Sequence, residues 1–372
     1  MGAAEASLPS QRQRLLDLFA GRRPERIPWV ADLTYWQSGR SALGTLPPRY
    51  RGEAGLQRLH EDTGAGRTFY VRPVVRVYRD PDLFHYEEQA EGDLVRRVWH
   101  TPAGTLRAVY RGIEGGSLAP VEWPVKTVRD LEAVCAWAEG ARYQASYEGF
   151  HQSEREWGDM GYPFIGTART PLAALVAEWA GVEGFTYLVA DEPLEVERSI
   201  TRLRQAQDSY YELLAHSPGA VIEIGDNLSA TVQASFFRRY SLEYYQERAA
   251  QLHAAGKKVG VHIDGTLRGL LHQLPQAGLD FVEAVTPAPV GDMGFEEIRS
   301  AVGPECIVIG GMPGAMFAPH CRWPEIQEHV RRAMTVLGRE GRFALGVADQ
   351  VPPDGELETV RRISREVDCF SP

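Results

Sequence analysis

Along the chain, short apolar runs alternate with longer stretches whose apolar residues recur every three or four positions. The runs predict strands at residues 27–30, 68–75, 163–167, 220–225, 257–264, 281–285, 307–310 and 343–347. Before the first strand, Leu15, Leu16, Leu18 and Phe19 mark an amphipathic helix that follows a tail. Further helices are predicted over 191–215, with Pro193 in the first turn, and from the fourth strand to Gly256. The pattern continues with helices through Leu274, at 294–301, at 323–339 and at 356–367. Repeated strand–helix units imply a parallel sheet with right-handed crossovers, and eight of them favour a closed barrel over an open sheet. The expected architecture is therefore α/β, a (β/α)8 TIM barrel forming a single domain over 1–372.

One region breaks the rhythm after the second strand. Residues 85–112 read as an excursion from the barrel. Two β-rich runs within 93–110 flank Thr101-Pro102-Ala103-Gly104, the turn of a β-hairpin. There is no GxGxxG opening a helix after an early strand and no GxxxxGK[ST], so a nucleotide-binding fold has no support.

Composition narrows the partners more than the fold. Hydrophobic residues make up 44%, enough for a large core, and charged residues 24%. The formal net charge of -10 repels a phosphate backbone, so nucleic acid is not an expected partner. No basic block suits an anionic membrane surface, and no apolar run is long enough to span a bilayer. The first residues lack the basic head and apolar core of a secretory leader. Cys135, Cys306, Cys321 and Cys369 are scattered, with no CxxC pair. A cytoplasmic location is the expectation.

Active sites of such barrels lie at the carboxyl ends of the strands. That rule selects Asp32, Arg169, Asp226, Asn227, His262, Asp264, Glu283 and Asp349. His262 and Asp264 are two apart, so on a strand both face the same side. They can ligate one metal ion or work as acid and base; the plain alternative is a buried His hydrogen-bonded to a carboxylate. Glu283 and Asp349 bring two more oxygen donors to the same mouth. Their alternatives are a salt bridge inside the barrel and a cap on the turn that enters the last helix. A His with carboxylates suits Zn, Mn or Fe. Asp226 and Asn227 are placed to bind substrate, or Asp226 to cap the next helix. Arg169 is placed to clamp a carboxylate or to form a surface ion pair. Tyr35, Trp36, Phe69 and Tyr70 are core or pocket aromatics, with Tyr70 a candidate substrate contact. Gly310-Gly311 marks a close backbone approach or a tight turn.

Several motifs together resemble the uroporphyrinogen decarboxylase superfamily. They are KVGVHIDG at 258–265, GLDFVE at 278–283, IGGMP at 309–313, GVADQVPP at 346–353 followed by Leu357 and Glu358, and TPAGTL at 101–106. The resemblance implies a (β/α)8 barrel, and a homodimer is plausible for members of that superfamily. They include porphyrinogen decarboxylases, corrinoid-dependent methyltransferases and cobalamin-independent methionine synthases. The methyltransferases bind zinc through His-x-Cys, a later Cys and, in the methionine synthases, a Glu. Those positions fall on His262, Asp264, Asp349 and Glu283, so both sulfur ligands are carboxylates here. The Arg-Gln-Ala-Gly-Arg run of true uroporphyrinogen decarboxylases is only partly matched at Trp36-Gln-Ser-Gly-Arg40. Their Gly-His-Gly is absent from Gly346-Val-Ala-Asp349.

The resemblance thus implies a divergent member acting on a small organic molecule. The first expectation is methyl transfer or demethylation at a divalent-metal site of His262, Asp264, Glu283 and Asp349, with Asp226, His262 and Asp264 as catalytic groups and a corrinoid carried by a partner protein. The second is a metal-free decarboxylase or lyase, and the third an idle ligand-binding barrel.

Overall fold

The computed structural model describes residues 9–71, 74–113 and 117–370. Its main sheet has eight strands, all parallel: β1 (Trp29–Val30), β2 (Arg67–Val71), β3 (Gly161–Gly166), β4 (Val221–Leu228), β5 (Lys258–Ile263), β6 (Phe281–Val285), β7 (Ile307–Pro313) and β8 (Phe343–Ala348). Each pairs with its sequence neighbours, and β8 returns to β1. The ring closes where Val30 bridges Gly66, held by Ala31 N–H donating to the Gly66 carbonyl and Gly66 N–H donating to that of Trp29. This is the predicted (β/α)8 barrel.

The period-two alternation of each strand divides the core in two. Ile222, Ile224, Val259, Val261, Val282 and Val308 point outward and pack under the surrounding helices. Val221, Phe281, Ile307, Ile309 and Ala344 point inward at the amino-terminal ends of their strands. The helix Gln11–Phe19 closes that end; the Ser10 hydroxyl caps it by accepting from the Gln13 N–H at 3.2 Å. It drives Leu15, Leu18 and Phe19 into the inner cluster. The Phe19 ring stands edge-on to Phe164 and Phe281, with centroids 5.6 and 5.4 Å away. The barrel is thus plugged below, and polar groups gather above.

Several boundaries differ from the sequence reading. The second strand stops at Val71; Arg72 and Pro73, inside the predicted 68–75, lie outside the described residues. Val75–Tyr78 instead pairs antiparallel with Arg142–Ala145, away from the barrel sheet. The excursion holds more than a hairpin. Leu94–Thr101 and Gly104–Gly112 turn at Thr101–Gly104 as predicted, but His85–Glu91 and Leu118–Glu122 flank them in a four-stranded antiparallel sheet. Every residue of His85–Glu91 is exposed, so that strand carries no apolar alternation to reveal it. The helix predicted over 191–215 is two helices, Pro193–Ala206 and Asp208–Ala215, preceded by a separate one, Gly181–Asp191. Toward Leu274 the chain forms a 3-10 helix, Leu271–Ala277, because Pro275 within it lacks the N–H an α-helix needs. Gly310, at φ +142, lies so near β6 that a Cβ there would stand 2.6 Å from the Val285 nitrogen, so the close approach is the correct reading of the glycine pair.

Among the described residues no helix is long and apolar enough to cross a membrane.

Candidate active site at the barrel mouth

Above the apolar plug, the inward positions turn polar. His262 on β5 has Asn227 on β4 and Glu283 on β6 as its register partners. Parallel neighbours in register point the same way. The Glu283 carboxylate therefore meets the ring, with Oε2 2.6 Å from His262 Nδ1. Glu223 enters from β4 and is 2% exposed. Tyr70 on β2 donates its hydroxyl proton to Glu223 Oε1 at 2.5 Å. Glu223, His262 and Glu283 each offer a ligand atom, and these atoms lie within 4.8 Å of one another.

The electrostatics follow from that crowding. Burial alone would lower the His262 pKa. The Glu283 carboxylate, aided by Glu223 and Asp349, outweighs it and raises the pKa to about 9. Burial also raises the Asp349 pKa. Asp264, Glu283 and Asp32 push the same way, against the lowering effect of His262. Asp349 holds φ +66, a left-handed conformation that a non-glycine residue rarely adopts.

The residues selected from the sequence divide into three groups. His262 and Glu283 meet in the polar layer, and Tyr70 reaches that layer through Glu223. Asp264 and Asp349 stand at the rim and are exposed. β5 ends at Ile263, so the strand alternation does not carry Asp264 inward beside His262. Asn227 Nδ2 lies 3.5 Å from Asp264 Oδ2. The third group is tied into loops. Asp32 Oδ1 accepts from the Thr34 N–H and hydroxyl at 2.8 and 2.6 Å, and its Oδ2 accepts from Gln350 at 3.0 Å. Arg169 Nε lies 3.2 Å from Glu178. Asp226 is 2% exposed. It accepts from the Thr170 N–H at 2.8 Å, from the Thr170 hydroxyl at 2.6 Å and from the Tyr245 hydroxyl at 2.8 Å. It caps no following helix. Burial raises its pKa against the lowering effect of those bonds.

Glu223 is the site residue that reading by strand ends passes over, because it lies in the first half of a long strand, ahead of Asp226 and Asn227. Its signal is a lone carboxylate in Val221-Ile222-Glu223-Ile224, where a strand buried on both faces has no solvent to offer it.

A cavity of about 590 Å³ opens beside this layer, within the range of small-molecule sites. Glu223 and His262 line its inner end. Arg169, Glu178 and Trp179 line one side, and Tyr70, Tyr143 and Tyr210 add aromatic wall. Val77, Arg79, Trp137 and Tyr143 come from the segment between β2 and β3. The motif Trp36–Arg40 is engaged elsewhere: Trp36 Nε1 donates to the Gly355 carbonyl at 2.8 Å, and Gln37 to that of Tyr50 at 2.6 Å.

The donor set of one imidazole and two carboxylates fits a borderline or hard divalent ion such as Zn, Mn or Fe. No thiol belongs to the cluster. Ligands around one such ion stand roughly 3–4 Å apart at bond lengths of about 2.1 Å, so small side-chain rotations suffice to gather them.

Comparison with known proteins agrees with this architecture. Residues 112–369 match the family described as uroporphyrinogen decarboxylase. A methyltransferase structure from Methanosarcina mazei is similar over 97% of this chain and 98% of its own, with a TM-score of 0.60 at 15% identity. A GH18 chitinase from Flavobacterium johnsoniae is more distant, with a TM-score of 0.37 at 12% identity over 62% of this chain and 82% of its own. No curated protein matches the chain.

Proposed function

Because the chain belongs to the uroporphyrinogen decarboxylase family, we propose that it is an enzyme of methyl transfer or demethylation on a small organic molecule, with a divalent metal held by Glu223, His262 and Glu283. The observation that carries this reading is the convergence of those three donors within 4.8 Å at the catalytic end of the barrel. His262 and Glu283 also occupy ligand positions of the zinc methyltransferases that the chain resembles. The name of the Methanosarcina mazei structure is consistent with the reading. Asp264 and Asp349 are assigned to the rim of the site, where their charge attracts the cation.

The bound ion would act as a Lewis acid on the heteroatom that gives or receives the methyl group. The protein's own residues do the rest. Tyr70 fixes one oxygen of Glu223, so that carboxylate is oriented before any ligand arrives. Glu283 holds the His262 ring, and the imidazolium must shed the proton of whichever ring nitrogen becomes the ligand. The aromatic wall keeps water from the reacting end. A corrinoid on a partner protein is the proposed methyl carrier.

Metal analysis of protein purified without added metal tests the assignment. About one equivalent per chain is expected, removable by chelator and absent from His262→Ala. Protein that holds no metal, and folds equally well in chelator, would overturn it. The second reading would then stand: a metal-free lyase in which His262, cationic beside Glu283, donates a proton to the substrate. An assay of CO2 release from aryl and heteroaryl acids tests that reading. The charge of the polar layer disfavours uroporphyrinogen itself. Its eight carboxylates would meet Glu223, Glu283, Asp264 and Asp349.

A further inference from the structure

The cavity has opposite charges at its two ends. At the inner end stand Glu223 and the His262–Glu283 pair. The outer wall carries Arg79, just past the strand Val75–Tyr78. Its Nε donates to the Trp137 carbonyl at 2.8 Å, and its guanidinium lies 4.1 Å from the centre of the Trp137 ring. Among the described residues no carboxylate pairs with Arg79, whereas Arg169 in the same cavity is matched by Glu178. A half-buried guanidinium, held over an indole ring and without a carboxylate partner, presents a two-pronged donor to an incoming anion. Between the two ends, Trp137, Tyr143, Trp179 and Tyr210 supply apolar and aromatic surface. The Tyr143 and Tyr210 rings have centroids 5.4 Å apart.

We propose that Arg79 binds the carboxylate of the substrate. The substrate is then a small monocarboxylic acid with an aromatic or apolar body, seated acid-outward, its other end at His262 and Glu223. The inner carboxylates repel the acid and so oppose the reverse orientation. This rests on the cavity being the substrate site, as proposed above. It adds that the segment between β2 and β3 selects the substrate class.

The test uses quenching of the cavity tryptophans and calorimetry, with 4-methoxybenzoate, hexanoate and the uncharged 4-methoxybenzamide as probes. The wild type is expected to prefer 4-methoxybenzoate to the amide by roughly tenfold or more, the size of one charge-assisted hydrogen bond. Arg79→Met, which keeps length and stacking surface, is expected to abolish that preference while leaving amide affinity within about twofold. Arg79→Lys is expected to retain part of it. Equal preference in Arg79→Met, or no binding of either acid up to about 10 mM, overturns the proposal. The titrations are repeated in chelator and with His262→Ala. A carboxylate preference that survives both, in a protein found to hold no metal, separates failure of the metal assignment from failure of the Arg79 subsite.

Discussion

The pairing of His262 with Glu283 makes the metal-free site sensitive to pH. The imidazole keeps its proton to about pH 9 in the fold, against an ordinary value of 6.5. Since folding raises this pKa, the pair stabilises the folded state in full below about pH 6.5, and the contribution is lost as pH rises through about 9. In Glu283→Gln, burial is opposed less and the pKa falls. Denaturant melts in chelator are therefore expected to show a stability gap between wild type and Glu283→Gln that narrows from pH 6.5 to 9. A gap of constant size across that window would count against the pairing. Metal affinity should climb over the same window, because the ion must displace the proton. His262 was legible in the sequence because it stands near the end of β5, and Glu283, in the middle of β6, as the lone carboxylate of the next apolar run and a ligand position of the family the motifs resemble. Glu223 was not, since a carboxylate flanked by Val221, Ile222 and Ile224 gives no hint of which inward layer it joins. Asp264 looked like a partner of His262 by spacing, yet the strand ends one residue short of it.

At the scale of elements, Asp226 ties three pieces together. From β4 it receives the Thr170 N–H and hydroxyl, at the start of the helix beginning Pro171, and the Tyr245 hydroxyl of the helix Leu242–Ala254. The same Thr170 hydroxyl accepts from the Ala173 N–H and so caps that helix. Thr170→Val removes both bonds at once. It is expected to cost about 1–3 kcal/mol in chemical denaturation and to leave metal content unchanged. Loss of metal without loss of stability would return Asp226 to the chemistry of the site. The eight strands were readable as apolar runs, and the start of the helix Pro193–Ala206 by its proline. The outer strand His85–Glu91 of the inserted sheet was not, because a strand exposed along its whole length has no buried face to set a pattern. The break of the predicted 191–215 helix at Gln207 also left no proline or glycine as a sign.

Over the whole molecule, stability and chemistry occupy opposite ends of one barrel. Phe19→Ala takes a ring from between Phe164 and Phe281 and is expected to cost about 3–5 kcal/mol, with carboxylate affinity and metal content unaltered. A change in either would mean that the two ends are coupled. The plug has a kinetic consequence as well. Among the described residues, Leu15, Leu18 and Phe19 seal the lower end, so the way to His262 lies through the mouth. Whatever reaches His262 must leave by the way it came, so a departing product and an arriving reactant exclude each other at the threshold.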